Sequence, residues 1–304
     1  MARPARFRTN LCGVLALDKP AGMTSFDAVR EVRRVLGERR VGHAGTLDPT
    51  ATGLLPICVG SATRLVDYFH AQPKTYRCTV RFGERSVTFD TEGEVSPGGD
   101  ASELTANSVG QALSRFVGDI LQIPPMHSAV RHQGRHLYEL AREGQEVERA
   151  PRPARIDKAE LISFHPGAVA EAELLVTAGK GTYMRVLAAD LGDALGTGGL
   201  LQNLCRTRYG ALDVLSAISP DELRQLPEPG AALLDPGIAV AHLPRVDVAP
   251  AQAAQLLRGQ PVWLPRGMQP AADGECAVVD AGGRLLAVGA AQGGLLRPVK
   301  VLSR

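Results

Sequence analysis

Fifteen residues, Gly42 to Pro56, constrain this chain more than any other stretch of it. They read GHAGTLDPTATGLLP: three glycines, two prolines, three threonines and one histidine around a single carboxylate, Asp48. Glycine admits backbone angles and close approaches that a Cβ forbids. Pro49 locks its own φ and biases Asp48 towards an extended conformation. A loop so restricted holds one carboxylate in one direction. Ordinary turn chemistry also accounts for an Asp-Pro step among glycines, so the purpose of the loop depends on what surrounds it.

Around it the chain reads as an ordinary folded protein. With 304 residues, it exceeds a typical single domain, and one large domain plus a small one is the expectation. At 44% hydrophobic it can bury a core, and no run of about twenty apolar residues predicts a membrane span. Arg3, Arg6 and Arg8 have no apolar stretch behind them, which is not the pattern of a secretory signal. Cys12, Cys58, Cys78, Cys205 and Cys276 are odd in number and lack C-x-x-C spacing, so reduced, mostly buried thiols in a cytoplasmic protein are expected. Formal charge is only +2, but both ends are basic: after Asp280 no side-chain carboxylate follows, while Arg284, Arg297, Lys300 and Arg304 do. That distribution suits phosphate contact, and equally the solvated ends of a chain that binds nothing.

The periodicities place several elements. Val14–Leu17 reads as a short strand. Thr24 or Ser25 can cap a helix running to Leu36, with Val29, Val32 and Leu36 on one face and Gly37 as its stop. Residues 75–82 alternate, with Tyr76, Cys78, Val80 and Phe82 on one face, which predicts a half-buried strand. Val109, Leu113, Phe116 and Val117 mark a second amphipathic helix closed by Gly118. Glu171 to Thr177 is strand-like and Leu187 to Leu195 helical. Gly118 to Arg155 is rich in Pro, His and Arg and reads as a loop-and-helix excursion from a sheet. Leu226 to Pro250 is Pro-rich and reads as a linker; a short helix over Ala251–Leu257 and several brief strands beyond it suit a small β-barrel.

The Gly42–Pro56 string, followed by Gly60-Ser61-Ala62-Thr63-Arg64-Leu65, resembles motif II of the TruB-type pseudouridine synthases. The resemblance continues in family order. Leu17-Asp18-Lys19-Pro20-Ala21-Gly22 matches the N-terminal motif, Lys74-Thr75-Tyr76 the K-x-Y segment, and Asp90 with Gly93 the D-x-x-G. Ile123-Pro124-Pro125-Met126-His127-Ser128-Ala129, with Gly134 and Leu137-Tyr138, matches the substrate-facing insertion. Lys180-Gly181-Thr182-Tyr183-Met184-Arg185 and Leu204 match two late motifs, so the matches span about residues 11–210. The resemblance implies an α+β fold: a mixed, mainly antiparallel sheet with flanking helices over residues 1–245, with the insertion at about 119–155, and a PUA-like RNA-binding barrel over 246–304.

By the same resemblance the chain isomerises the T-loop uridine of tRNA, position 55, to pseudouridine. That reaction breaks the N1–C1′ bond, turns the uracil and rejoins it through C5. It needs a carboxylate, a group that keeps it ionised, and a base for the C5 proton, but no redox step and no group transfer, so no cofactor or metal is expected. Asp48 is then the catalytic carboxylate; whether it adds to the ring or assists at C1′ stays open. Arg185 is the arginine that pairs with it, holding it charged and aimed. Tyr76 stacks on the uracil and counts among the catalytic residues, its hydroxyl being placed for proton transfer, and Tyr183 and Leu204 line the pocket. His43 fills the space that the flipped base leaves, since a base inside a folded loop must be extruded at a cost of roughly a few kcal/mol. Lys19, Lys74, Asp90 and Arg64 are ion-pair or phosphate contacts; family members typically carry Lys where this chain has Arg64. The implied partner is tRNA through its T-arm, read by shape, with no guide RNA, no membrane, and the protein a monomer in the cytoplasm. A non-catalytic RNA-binding or RNA-folding protein is the competing reading. A guide-dependent synthase is another, and the insertion resembles the stand-alone type. Metal at His132 and His136 lacks a third ligand in the sequence, which favours RNA contact there.

Overall fold

A computed structural model describes residues 11–302; Arg3, Arg6, Arg8 and Arg304 lie outside them. The chain divides into two compact units, one of residues up to 72 with 208 onward, the other of residues 73–207.

In the first unit β1 (Gly13–Lys19) is antiparallel to a later strand, and both are almost wholly buried. Helix α1 (Ser25–Leu36) starts at Thr24, whose hydroxyl accepts from Asp27 N at 3.0 Å while the Asp27 carboxylate accepts from Thr24 N at 3.1 Å. Gly37, at φ 61°, ends it. Strand β2 (Val41–His43) and β1 both pair with β3 (Thr52–Val59), so the Asp48 loop joins two strands. A 3-10 turn over Gly60–Leu65 leads into α2 (Val66–His70).

The second unit opens with β4 (Lys74–Phe82), in which Cys78, Val80 and Phe82 are buried as the alternation predicts. A small ladder, β5 (Glu84–Ser86) with β6 (Val95–Pro97), precedes α3 (Ala106–Ser114) and β7 (Gly118–Gln122). Gly118 does not close the helix as expected: α3 stops at Ser114 and Gly118, at φ 110°, begins β7, which leaves Val117 44% exposed. The Pro/His/Arg-rich segment holds a two-residue ladder, β8 (Arg131–His132) with β9 (Arg135–His136), and α4 (Leu137–Arg142). Strand β10 (Arg152–His165) pairs with β7 from Arg152↔Gln122 to Ile156↔Gly118, so the excursion proper spans 123–151. Next come β11 (Ala170–Ala178), α5 (Met184–Ala194) and β12 (Gly199–Tyr209), whose last two residues belong to the first unit. Helix α5 starts three residues before its expected beginning at Leu187. The sheet order is β12-β4-β11-β10-β7, and β4, β11, β10 and β7 are antiparallel in turn. Val109 and Leu113 of α3 and Leu187 and Leu191 of α5 share a core with the inward residues of β4 and β11.

The chain returns to the first unit through β13 (Leu212–Asp213) and α6 (Pro220–Gln225). The Pro-rich stretch 226–250 is not a linker. Pro229 and Pro236 each start a 3-10 turn, where a missing N–H costs nothing. Leu234 exchanges both backbone hydrogen bonds with Val14, and Ala239 and Val240 are buried. Then come β14 (Arg245–Asp247), α7 (Pro250–Leu257), β15 (Val262–Trp263), β16 (Gly274–Val279), β17 (Leu285–Gln292) and β18 (Leu295–Val301). They form a five-stranded sheet, β14-β16-β17-β18-β15, parallel at β14/β16 and antiparallel elsewhere. That curled half-barrel is the PUA-like element that the sequence predicts. Its own core holds Val246, Leu256, Val278 and Leu296, while Ala277, Val279 and Val288 share a second core with Val14, Leu54 and Phe69. No described helix is long and apolar enough to cross a membrane.

Candidate functional site

The predicted residues fall into two groups, one in each unit. In the first unit Asp48 sits half-buried on the loop between β2 and β3, and this loop is clamped from three directions. Its apolar residues Ala44, Leu47 and Ala51 are buried and pin it from beneath. Ser25, at the start of α1, bonds both backbone atoms of Leu47: its Oγ donates to Leu47 O at 3.0 Å and accepts from Leu47 N at 2.9 Å. The turn that follows β1 holds the residue after the acid. Gly22 N donates to Pro49 O at 2.9 Å, and the buried Lys19 ammonium donates to Pro49 O at 3.2 Å, Pro20 O at 2.9 Å and Met23 O at 2.7 Å.

Lys19 is therefore a positive charge distributed over main-chain carbonyls, joining the L-D-K-P segment to the Asp48–Pro49 step. Ala51 N closes the turn onto Asp48 O at 3.1 Å. Two of the three glycines meet a conformational demand, Gly45 at φ 106° and Gly53 at φ 93°. Gly42 does not, since it lies on β2 without a positive φ, and a Cβ there meets nothing within 4 Å. His43 is the last residue of β2, half-buried, opposite Ile57. Arg64 is exposed, and its guanidinium donates to Val301 O of β18 at 2.7 Å.

In the second unit the sheet and α5 gather the other group. Arg185 lies in the first turn of α5 and is 6% exposed. Its Nη2 donates to His127 O at 2.8 Å, its Nη1 to Thr88 O at 3.4 Å, and Nη1 stands 3.4 Å from Asp90 Oδ2. Asp90 is itself oriented: Thr88 Oγ1 donates to its Oδ1 at 2.5 Å and Glu92 N at 3.0 Å. Phe89, just before it, takes a φ of 63°, and its carbonyl accepts from Leu201 N of β12 at 2.9 Å. Tyr76 on β4 and Leu204 on β12 are both half-buried against the core of this unit, and Tyr76 stands opposite Val176 of β11. Tyr183 immediately precedes α5 and is half-buried. Lys74, at the start of β4, is buried, which together with the nearby Arg206 and Lys180 pushes its pKa down to about 8.

One residue of this group was absent from the sequence reading. Gln122 ends β7, is 2% exposed, and bonds the main chain of Tyr183 in both directions. The only signal was a polar residue at the end of a strand just before Ile123-Pro124-Pro125. In the excursion His136 Nδ1 meets Ala129 O at 2.9 Å and its ring stacks on Tyr138 at 5.2 Å. A cavity of about 380 Å³ there has apolar residues such as Val130 and Leu137 in its wall, with Arg131, Arg149, Arg152 and the carboxylate of Glu148. Three guanidinium groups against one carboxylate leave the cavity cationic, although Arg149 is already paired with Glu146. Chemically, then, the molecule offers a clamped carboxylate in one unit and, in the other, a buried arginine aimed by a second carboxylate, with Tyr76 and Tyr183 half-buried in the same unit.

Comparison with known proteins places these features in a family. Residues 33–184 match the model of the TruB family pseudouridylate synthase N-terminal domain, and residues 243–303 that of the tRNA pseudouridine synthase II C-terminal domain. A tRNA pseudouridine synthase B of Symbiobacterium thermophilum is 48% identical over 247 residues, covering 81% of this chain and 82% of that protein. That of Saccharophagus degradans is 41% identical over 295 residues, covering 94% and 93%. Among solved structures, a Cbf5-Nop10-Gar1 complex contains a chain with a TM-score of 0.74 at 24% identity, covering 97% of this chain and 86% of that one, which shows a shared fold.

Proposed function

This chain belongs to the TruB family of pseudouridylate synthases, and from that premise we propose that it converts the T-loop uridine of tRNA, position 55, to pseudouridine. The observation that carries the reading is the clamped loop: Lys19, Gly22 and Ser25 fix the main chain on both sides of Asp48. A carboxylate held this way loses little entropy on meeting a reacting carbon, which is how positioning lowers a barrier. Attack on the ring and assistance at C1′ both require the ionised form. By the family resemblance Arg185 is the arginine that pairs with that carboxylate in the reaction, and Asp90 with the Thr88 and His127 carbonyls aims it. In the reaction the N1–C1′ bond breaks, the uracil turns, C5 bonds to C1′, and the C5 proton leaves as N1 takes one up. Atoms balance without a cofactor.

Tyr76 stacks on the uracil, Tyr183 and Leu204 wall it off from water, and His43 occupies the vacated position in the RNA loop. Lys19 acts through the loop it braces. The excursion 123–151 and the half-barrel over 246–304 grip the T-arm and the rest of the tRNA, with no guide RNA, by a monomer in the cytoplasm. The match of residues 243–303 to a separate C-terminal model supports a catalytic domain over 1–245 and an RNA-binding domain beyond it.

The test is positional. Unmodified tRNA treated with the protein is derivatised with a carbodiimide, exposed to mild alkali so that only the adduct on pseudouridine survives, and read by primer extension. One new stop at the T-loop uridine is expected; stops at other uridines, or none, would overturn the assignment.

A further inference from the structure

Two bonds tie the start of the excursion to the segment that carries Arg185. Gln122 Oε1 accepts from Tyr183 N at 2.9 Å, and its Nε2 donates to Tyr183 O at 3.2 Å. Five residues further on, the His127 carbonyl accepts from Arg185 Nη2 at 2.8 Å, the shortest of the three contacts given above for that guanidinium. The stretch 122–127 thus holds both ends of the stretch 183–185.

A side-chain amide suits this task, because it offers a donor and an acceptor to the N–H and C=O of one residue, as a neighbouring strand residue would. Gln122 is buried, so breaking the pairing costs Tyr183 N its amide partner and leaves Tyr183 O with the Leu187 N–H of α5 at 3.1 Å, at a cost that keeps the two segments in register. A few residues from Gln122 the chain enters a segment whose His127, Arg131 and Arg135 are exposed. Whatever seats that segment therefore pulls on the base of α5.

We propose that Gln122 is a positioning residue for Arg185: through its two bonds to Tyr183, and with the His127 carbonyl, seating of the 123–151 excursion on RNA sets the direction of the guanidinium. The inference rests on the proposed role of Arg185. It makes the arginine productive only when the excursion is seated, so RNA shape is read before chemistry starts.

Gln122→Met keeps the size and removes both bonds; Gln122→Glu keeps the acceptor and removes the donor. Two measurements decide. In the free proteins, hydrogen exchange of residues 182–186 should be at least about tenfold faster in Gln122→Met than in the wild type. Unchanged exchange overturns the coupling, whether or not the protein proves to be a synthase. In single-turnover assays with saturating T-arm hairpin RNA, the rate should fall about 30-fold for Met and less for Glu, while the RNA Kd stays within about threefold. Gln122→Met should add nothing to the loss caused by Arg185→Met, because both act through one guanidinium. A Kd that rises with the rate per bound complex unchanged, or losses that multiply in the double variant, would make Gln122 merely structural. If Gln122→Met does not fold, Gln122→Glu carries the same readings.

Discussion

At the scale of single residues, buried cations do most of the positioning. Lys19 spends its charge on three carbonyls around the loop, whereas Lys74 is held near two other cations. The second case makes a pH prediction with a definite sign. Burial first, then Arg206 and Lys180, lower the Lys74 pKa from 10.5 to about 8. Between those values the unfolded chain binds more protons than the folded one, so stability from this group rises with pH across that window. Wild type should therefore gain stability over Lys74→Met from pH 8 to about 10.5, by at most roughly 3 kcal/mol, and the difference should be flat below pH 7. Urea midpoints at a series of pH values measure it, and a difference that shrinks as pH rises contradicts the burial argument. Residues of this kind are only partly legible in a sequence. Asp48, Tyr76 and Arg185 stand in motifs, and their placement on loop, strand and helix start was readable. Gln122 was not, since its role depends on a main-chain partner 61 residues away. Gly42 looked as necessary as Gly45 and Gly53, because a sequence shows glycine without showing φ.

Among the elements, those with local signals were read well. Helix α1 carries its own capping box and glycine stop, and β4 its own alternation. Pro-rich 226–250 misled because proline marks both linkers and the first turn of short helices, and only packing against Val14 distinguishes them. Gly118 misled similarly, serving the start of a strand and not the end of a helix. Two helical glycines offer a paired test of what packing adds. A Cβ on Gly192 of α5 would stand 2.2 Å from Gly198 C and Gly199 N, so Gly192→Ala must push the helix that bears Arg185 off β12. A loss of about 2–4 kcal/mol is expected from such backbone overlap. A Cβ on Gly110 of α3 meets nothing within 4 Å, and Gly110→Ala should instead add about 0.5–1 kcal/mol. Thermal or urea unfolding of both variants checks the pair, and effects of the same sign would refute the packing account. The excursion makes a third element-level prediction. Protease cleavage between Met126 and Arg152 should be fast in free protein and slowed several-fold by a T-arm hairpin; equal rates would remove the case for seating on RNA.

For the whole molecule, the question is how a nearly neutral protein holds a polyanion. The half-barrel cannot simply be cut away to find out, because Ala277, Val279, Leu285 and Val288 belong to the same core as β1 and α2. Truncation at residue 250 would expose that core and confuse binding with folding. Surface variants avoid this. Trp263 is 70% exposed on β15 opposite Leu295, and Arg297, two residues along β18, shares that sheet face. An exposed indole beside a guanidinium is suited to stacking on a base and pairing with a phosphate. Trp263→Ala and Arg297→Ala should raise KM for full tRNA with kcat unchanged and leave a T-arm hairpin unaffected. Arg297→Ala should also reduce the salt slope of binding by about one. Equal KM values for full tRNA would place the contact elsewhere. The central claim, however, concerns one carboxylate. Asp48→Asn keeps the size of the side chain and removes its charge, and the Lys19 and Ser25 bonds given above hold the loop by main-chain atoms of Pro49 and Leu47. Release of tritium from C5 of the target uridine in a T-arm hairpin, followed in a single turnover, should be abolished in Asp48→Asn while RNA affinity stays within about tenfold, or 1.4 kcal/mol. Tritium release at an appreciable fraction of the wild-type rate would contradict the account.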